Sequence, residues 1–262
     1  MNGVLEKIMT QKKLEVEKLK ATNPISELIK HPMLERKPVS MQEAIVSGSG
    51  LIAEFKRASP SKGIIRQDAD AASIVSGYEE AGASAVSVLT DSQFFQAKEE
   101  DILTARKSVN IPILRKDFMI DEYQVYQSKI MGADCILLIA AILDKETMRH
   151  LLNIASDLGL DAIIELHKHE ELDKLSGNEK IIGVNNRNLD TFEVDINTSL
   201  KLADQIGGVI RISESGLGSE SNLNELIGAG YDGFLIGESF MKEADPGKAA
   251  LEFVQQLSAL KP

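Results

Sequence analysis

The stretch LIAEFKRASPSKG, Leu51 to Gly63, opens like a buried β-strand yet carries Glu54 and Lys56 two residues apart. Side chains alternate between the two faces of a strand, so Glu54 and Lys56 share one face and Phe55 takes the other. Charge is costly to bury unless it is paired. The end of this strand therefore reads as one wall of a charged pocket.

Working outward, the pattern of a short apolar stretch, a polar loop and a helical stretch recurs. The further strand candidates are SAVSVLT from Ser84, PILRKD from Pro112, DCILLIA from Asp134, DAIIELH from Asp161, KIIGVNN from Lys180, GVIRISES from Gly208 and DGFLIGES from Asp232. Between them lie helix-like segments such as DAASIVSGYEEAGA, DEYQVYQSKIMGA, DKETMRHLLNIASDLGL and SNLNELIGAG, several ending in Gly-Ala or Gly-Leu, where a left-handed cap is needed. Strict strand–helix alternation favours parallel pairing, because a crossover helix returns the chain in the same direction. Eight such units predict an α/β fold of the closed (β/α)8 barrel type, with an open doubly wound sheet as the rival. No GxGxxG follows the first strand, which counts against the rival.

Residues 1–47 differ from this repeat. Val4, Ile8, Leu14, Val16 and Leu19 are spaced among charges like an amphipathic helix, and PISELIKH fits a second short helix with Asn23 as its cap. The expectation is one barrel domain over residues 1–262, with residues 1–47 as a helical N-terminal extension.

Composition narrows the function classes. With 29 basic and 40 acidic residues the net charge is −11, which repels nucleic acid and anionic membranes. The longest apolar run, Cys135 to Leu143, is far short of the roughly 20 residues of a membrane span. The first residues contain no apolar signal core, so a cytoplasmic location is expected. Cys135 is the only cysteine and reads as an inert core thiol.

In a barrel of this type the chemistry belongs at the C-terminal ends of the strands. Strand one ends in Glu54 and Lys56, strand three in Lys116, strand five in Glu165, strand six in Asn185, Asn186 and Arg187, and strand seven in Glu214 and Ser215. A single strand-end charge is ordinarily solvated. Five strands converging on one mouth make a pocket in which two lysines need carboxylate neighbours or a bound anion, and in which pKa values become tuned for proton transfer.

Strands seven and eight run into glycine, in SESGLGS and LIGES. Loops at these barrel positions commonly bind phosphate through backbone N–H groups. Gly216, Gly218, Gly237 and Glu238 are the expected donors, with the Glu238 carboxylate turned outward; Ser239 and Ser59 join the substrate-binding set. Phe94, Phe95, Phe118, Leu137 and Leu189 fall near the mouth, where a planar apolar substrate would need walls. No spacing suggests a metal site, and His167 and His169 read as surface loop.

The segment LIAEFKRASPSKGII resembles the signature of indole-3-glycerol phosphate synthases, and the likeness continues through ILRKDF, IIELH, IGVNNRNL, ISESGL and FLIGES across essentially the whole chain. The resemblance implies a barrel enzyme of tryptophan biosynthesis. Its substrate would be 1-(2-carboxyphenylamino)-1-deoxyribulose 5-phosphate, cyclised with loss of carbon dioxide and water without cofactor or metal. It further implies Lys116 as the general acid for ring closure and Glu165 as the base or acid of later proton steps. Lys56 would hold the substrate carboxylate or donate a proton, oriented by Glu54, and Asn185, Glu214 and Ser215 would form the hydrogen-bonding and charge-tuning set. Which lysine acts at which step stays open. Arg187 suits an anionic group, with a rim salt bridge as the alternative. The chain is expected to act on a small phosphorylated substrate as a monomer. Two other functions remain: a Schiff-base aldolase-type barrel and a non-catalytic sugar-phosphate binder.

Overall fold

Alternation of side-chain direction builds the barrel seen in a computed structural model, which describes residues 3–189 and 191–260. The strands are β1 (Leu51–Phe55), β2 (Ala85–Leu89), β3 (Ile113–Lys116), β4 (Cys135–Ile139), β5 (Asp161–Leu166), β6 (Ile181–Asn185), β7 (Ile210–Glu214) and β8 (Gly233–Ile236). All neighbours pair in parallel and β8 closes on β1, so the doubly wound alternative is excluded.

One residue in two along each strand points into the barrel. Ile52, Ala85, Leu114, Cys135, Leu137, Ile163, Ile181, Ile212 and Leu235 form a single buried interior cluster, as the layered filling of such barrels requires. The alternate residues, among them Leu51, Ala53, Phe55, Val86, Val88, Ile136, Leu138, Ile164 and Phe234, join the layer between sheet and helices. One step further along the same inner columns, aliphatic gives way to polar. Ile52 is followed by Glu54, Leu114 by Lys116, Ile163 by Glu165, Ile181 by Gly183 and Asn185, and Ile212 by Glu214. The chemistry therefore stands on rigid strands directly above the apolar floor.

The helical segment before β1 touches both ends of the barrel. Helix α1 (Val4–Thr22) places Val4, Leu5 and Ile8 at the mouth above the C-terminal strand ends. Helix α2 (Met41–Ser47) buries Met41 and Ile45 against the interior cluster at the other end. There Asp161 accepts from the Met41 N–H at 2.8 Å and from the Gln42 side chain at 2.7 Å.

Two readings of this segment need correction. The inward face of α1 is Leu5, Ile8, Lys12 and Val16, while Leu14 is exposed; a buried lysine interrupts the apolar stripe, which concealed the true phase. Asn23 ends α1, donating its N–H to Leu19 O, and the one-turn helix Ile25–Leu28 starts from Pro24 without a side-chain cap. Among the described residues, no helix is long and apolar enough to cross a membrane.

Candidate active site

A cavity of about 530 Å³ opens at the C-terminal mouth of the barrel. Most of the residues named from sequence as site members line it: Glu54, Lys56, Ser59, Lys116, Phe118, Leu137, Glu165, Asn185, Arg187, Leu189, Glu214, Ser215, Gly216, Gly218, Gly237, Glu238 and Ser239, whereas Asn186 lines a smaller neighbouring cavity.

Lys116 is the hub of the charged floor. Its ammonium donates to Glu214 Oε2 at 2.6 Å and to Glu165 Oε2 at 3.3 Å, and Glu54 Oε2 lies 4.0 Å away. Burial alone would lower the Lys116 pKa, but Glu214, Glu165 and Glu54 together hold it above its ordinary value. Glu54 in turn accepts from Lys56 at 2.5 Å. Its carboxyl, which burial would raise, is held low by Lys56 and then Lys116. Glu214 responds in the opposite direction. Burial and the neighbouring Glu165 carboxylate outweigh the pull of Lys116 and push it up to about 7. The site thus contains ionised Glu54, cationic Lys116 and a carboxyl poised near neutrality, a combination that can deliver and accept protons at physiological pH.

Two glycines make room for these carboxylates. A Cβ at position 183 would lie 2.7 Å from Glu214 Oε1, and one at position 237 would lie 2.5 Å from Glu54 Oε1. Gly237 was expected to serve phosphate through its backbone; the space it leaves for Glu54 is a second requirement. Neither glycine has positive φ, so the need at both is for volume rather than for left-handed backbone.

Asn185 organises the wall between Glu165 and the glycine turn. Its Nδ2 donates to Glu165 Oε2 at 3.3 Å, and its Oδ1 accepts from Ser215 Oγ and from the Arg187 N–H, both at 3.0 Å. Ser215 has φ 68°, which is uncommon for a residue with a side chain. Asn186 helps to hold that backbone by donating to Ser215 O at 3.0 Å, while its own Oδ1 accepts from Ser199. Left-handed backbone fixed by two asparagines beside a cavity marks a place where geometry is imposed on the chain. Gly216 follows, also at positive φ, and a Cβ there would stand 2.6 Å from Val194 Cγ1.

Several sequence expectations fail at the mouth. Glu238 does not turn outward; its carboxylate pairs with Lys242, lies 3.6 Å from Arg187 and 3.9 Å from Lys62, and lines the cavity. The cationic cluster draws it inward. Phe94 lies outside the lining, whereas Phe95 lines it and packs on Phe118 with ring centroids 6.3 Å apart. His167, expected on the surface, is buried with Nε2 3.3 Å from Glu165 Oε1, because spacing of two from Glu165 keeps it on the inner face. His169 is exposed as expected.

Lys12 was missed altogether. Its side chain is 1% exposed and reaches Asp91, Asp117 and Glu15, each at 2.9 Å. Asp117 also accepts from Arg115, Thr90 and the Phe118 N–H, so α1 is tied to the strand end that carries Lys116. A lysine at an interior helix position was the available signal. Among the described residues, no group of three or more His, Cys, Asp or Glu is arranged to hold a metal ion.

Comparison with known proteins agrees with this geometry. The family model described as indole-3-glycerol phosphate synthase matches residues 5–253. The indole-3-glycerol phosphate synthase of Bacteroides thetaiotaomicron is 45% identical over 259 residues, covering 98% of this chain and all of that protein. That of Trichodesmium erythraeum is 40% identical, covering 97% and 89%. Among solved structures, a thiamine phosphate pyrophosphorylase from Pyrococcus furiosus superposes with TM-score 0.62 at 15% identity, covering 85% of this chain and 100% of that one. A 3-hexulose-6-phosphate synthase from Salmonella typhimurium gives 0.63 at 12% identity, covering 81% and 100%; both likenesses concern the barrel fold alone. With nearly its whole length matched and its mouth built as described, the chain belongs to the indole-3-glycerol phosphate synthase family.

Proposed function

We propose that this protein converts 1-(2-carboxyphenylamino)-1-deoxyribulose 5-phosphate into indole-3-glycerol phosphate, carbon dioxide and water by general acid–base catalysis. The observation that carries this reading is Lys116 seated between Glu165, Glu214 and Glu54 beside the Glu54–Lys56 pair. Closing a carbon–carbon bond onto a ketone requires a proton at the carbonyl oxygen, and expulsion of the resulting hydroxyl requires another. Lys116 supplies the first, and Glu165 takes part in the later transfers. Lys56, oriented by Glu54, holds the substrate carboxylate or protonates the departing oxygen. Asn185 and Ser215 orient the groups around Glu165, and Glu214 sets the charge of Lys116. Phe118, Leu137 and Leu189 flank the aromatic ring, Arg187 faces an anionic group, and the Ser59, Gly216, Gly237, Glu238 and Ser239 backbone or side chains receive the phosphate end.

We further infer that the chain works as a single-domain cytoplasmic monomer, with residues 1–47 as a structural extension of the barrel. The decisive assay adds the anthranilate-derived ribulose phosphate and follows indole absorbance or fluorescence. A Lys116→Ala variant is expected to lose roughly 10²–10⁴-fold in kcat while retaining phosphate-ligand binding. Absence of indole formation by the wild-type protein, or full activity in the variant, refutes the reading. Covalent trapping of the substrate on Lys116 by borohydride would instead support the Schiff-base alternative.

A further inference from the structure

The Glu238 carboxylate stands where an anionic ligand would. Three cations converge on it from separate parts of the chain: Lys242 from its own helix, Arg187 from beyond β6 at 3.6 Å, and Lys62 from the loop after β1 at 3.9 Å. All four residues line the cavity at the barrel mouth. Burial would raise the Glu238 pKa, but Lys242, Lys62 and Lys56 hold it low, so the carboxyl is ionised. A phosphate dianion arriving beside it would meet like charge and compete for the same cations. The three contacts are not equivalent. Lys242 lies one turn further along the short helix Glu238–Lys242, and its side chain is 51% exposed against 24% for Arg187. A glutamate four residues before a lysine is a favourable surface pair, so the two side chains can turn towards solvent and stay paired. Arg187 and Lys62 stand on other loops and would be left behind.

From this geometry we propose that Glu238 is a resident stand-in for the phosphate end of the ligand. In the free protein it neutralises Arg187 and Lys62; when phosphate enters, it turns outward with Lys242 and hands those two cations over. The inference rests on the reading that this end of the cavity receives phosphate. The outward carboxylate expected from the sequence is then the orientation of the loaded site, and the inward one that of the free site. Rotamer changes of partly exposed side chains take picoseconds to nanoseconds, so the exchange does not limit turnover. Because the same carboxylate returns as product leaves, it weakens every phosphate-bearing ligand by a similar factor and hastens release.

The test measures competitive inhibition of indole formation by inorganic phosphate, at low salt, in wild type, Glu238→Gln, Lys242→Met and the double variant. Glutamine is near-isosteric with glutamate and Lys242 is half-exposed, so the fold is kept. Inhibition is expected to tighten roughly three- to fivefold in Glu238→Gln. It is expected to weaken in Lys242→Met, where Glu238 has lost its outward partner, yet Lys242→Met should change little once Glu238 is already glutamine. A loss of the same size in both backgrounds overturns the handover, since Lys242 would then act on phosphate directly. Unchanged or weaker inhibition in Glu238→Gln overturns the stand-in. Inhibition by the product, indole-3-glycerol phosphate, is expected to tighten by the same factor as that by inorganic phosphate; tightening for inorganic phosphate alone overturns the effect on release. Activity of the wild-type protein separates the two claims: equal constants beside normal indole formation sink this inference and leave the synthase reading standing, whereas no indole formation sinks both.

Discussion

Replacing Gly237 with alanine tests the site through one methyl group. The added carbon would stand 2.5 Å from Glu54 Oε1, 2.8 Å from Glu54 Cβ and 3.0 Å from Glu54 Cγ. Carbon atoms in contact settle at about 3.5–4.0 Å, so the two Cβ atoms must part by roughly 0.7 Å or more. A rotamer change cannot achieve this, because the Glu54 Cβ is fixed by strand β1, which is paired to β8 at Ala53 and Ile236 and to β2 at Glu54 and Ser87. Overpacking of this kind costs about 1–3 kcal/mol, and each kcal/mol lowers Tm by about 2–4 °C in a chain of this size. The catalytic loss is expected to be larger than the stability loss. Glu54 holds Lys56 at 2.5 Å and faces Lys116 at 4.0 Å, and a misplacement near 1 Å costs roughly 100-fold. Gly237 has φ −138° and ψ −60°, outside the left-handed region but also outside the main helical and extended wells, so alanine adds backbone strain that lowers stability further, while the backbone N–H survives the change. A purely phosphate-binding role for Gly237 therefore predicts a less stable enzyme with almost normal kcat. Steady-state indole formation and thermal unfolding of the same preparation distinguish the two. A folded Gly237→Ala variant with wild-type kcat would refute the claim that Glu54 must sit where it does.

Three more outcomes are expected. Glu214 has its folded-state pKa raised from 4.5 to about 7, so it favours folding below pH 4.5 and that contribution disappears as pH rises through 7; Glu214→Gln should flatten the stability curve over this window, a difference of roughly 3 kcal/mol, and denaturant unfolding across pH would contradict this by giving parallel curves. Lys12→Met leaves Asp91 and Asp117 without their buried cation and should destabilise the fold by about 3–5 kcal/mol; an unchanged unfolding midpoint would show that α1 is not clamped there. Glu238→Gln removes the anion that faces Arg187 and Lys62 and should tighten inhibition by inorganic phosphate severalfold, an effect that fades with added salt over the ~10 Å screening length at 0.1 M; equal inhibition constants at low salt would place the phosphate elsewhere.

The polar strand ends were legible because each follows an aliphatic residue by two positions, as Lys116 follows Leu114 and Glu165 follows Ile163. A period of two is local and survives in one dimension. The same rule extended one step would have moved His167 from the surface to the inner face; its place beyond the apparent strand end hid it. Lys12, signalled only by a lysine at an interior helix position, and Gly183 were missed for another reason. One is buried only because Asp91 and Asp117 arrive from loops far along the chain, and the other is required only because Glu214 leans across from the next strand.

The amino-acid sequence by itself determined the parallel barrel, the strands that bear charge and the end of the barrel where they meet, since these follow from periodicity and from the direction of crossover helices. Tertiary structure alone decided which carboxylates share Lys116, that Glu214 rather than Glu54 is pushed towards neutrality, that Glu238 turns inward, and that His167 is buried beside Glu165. Those outcomes depend on distances of a few ångströms between residues remote in the chain, where burial and Coulomb forces set charge and orientation.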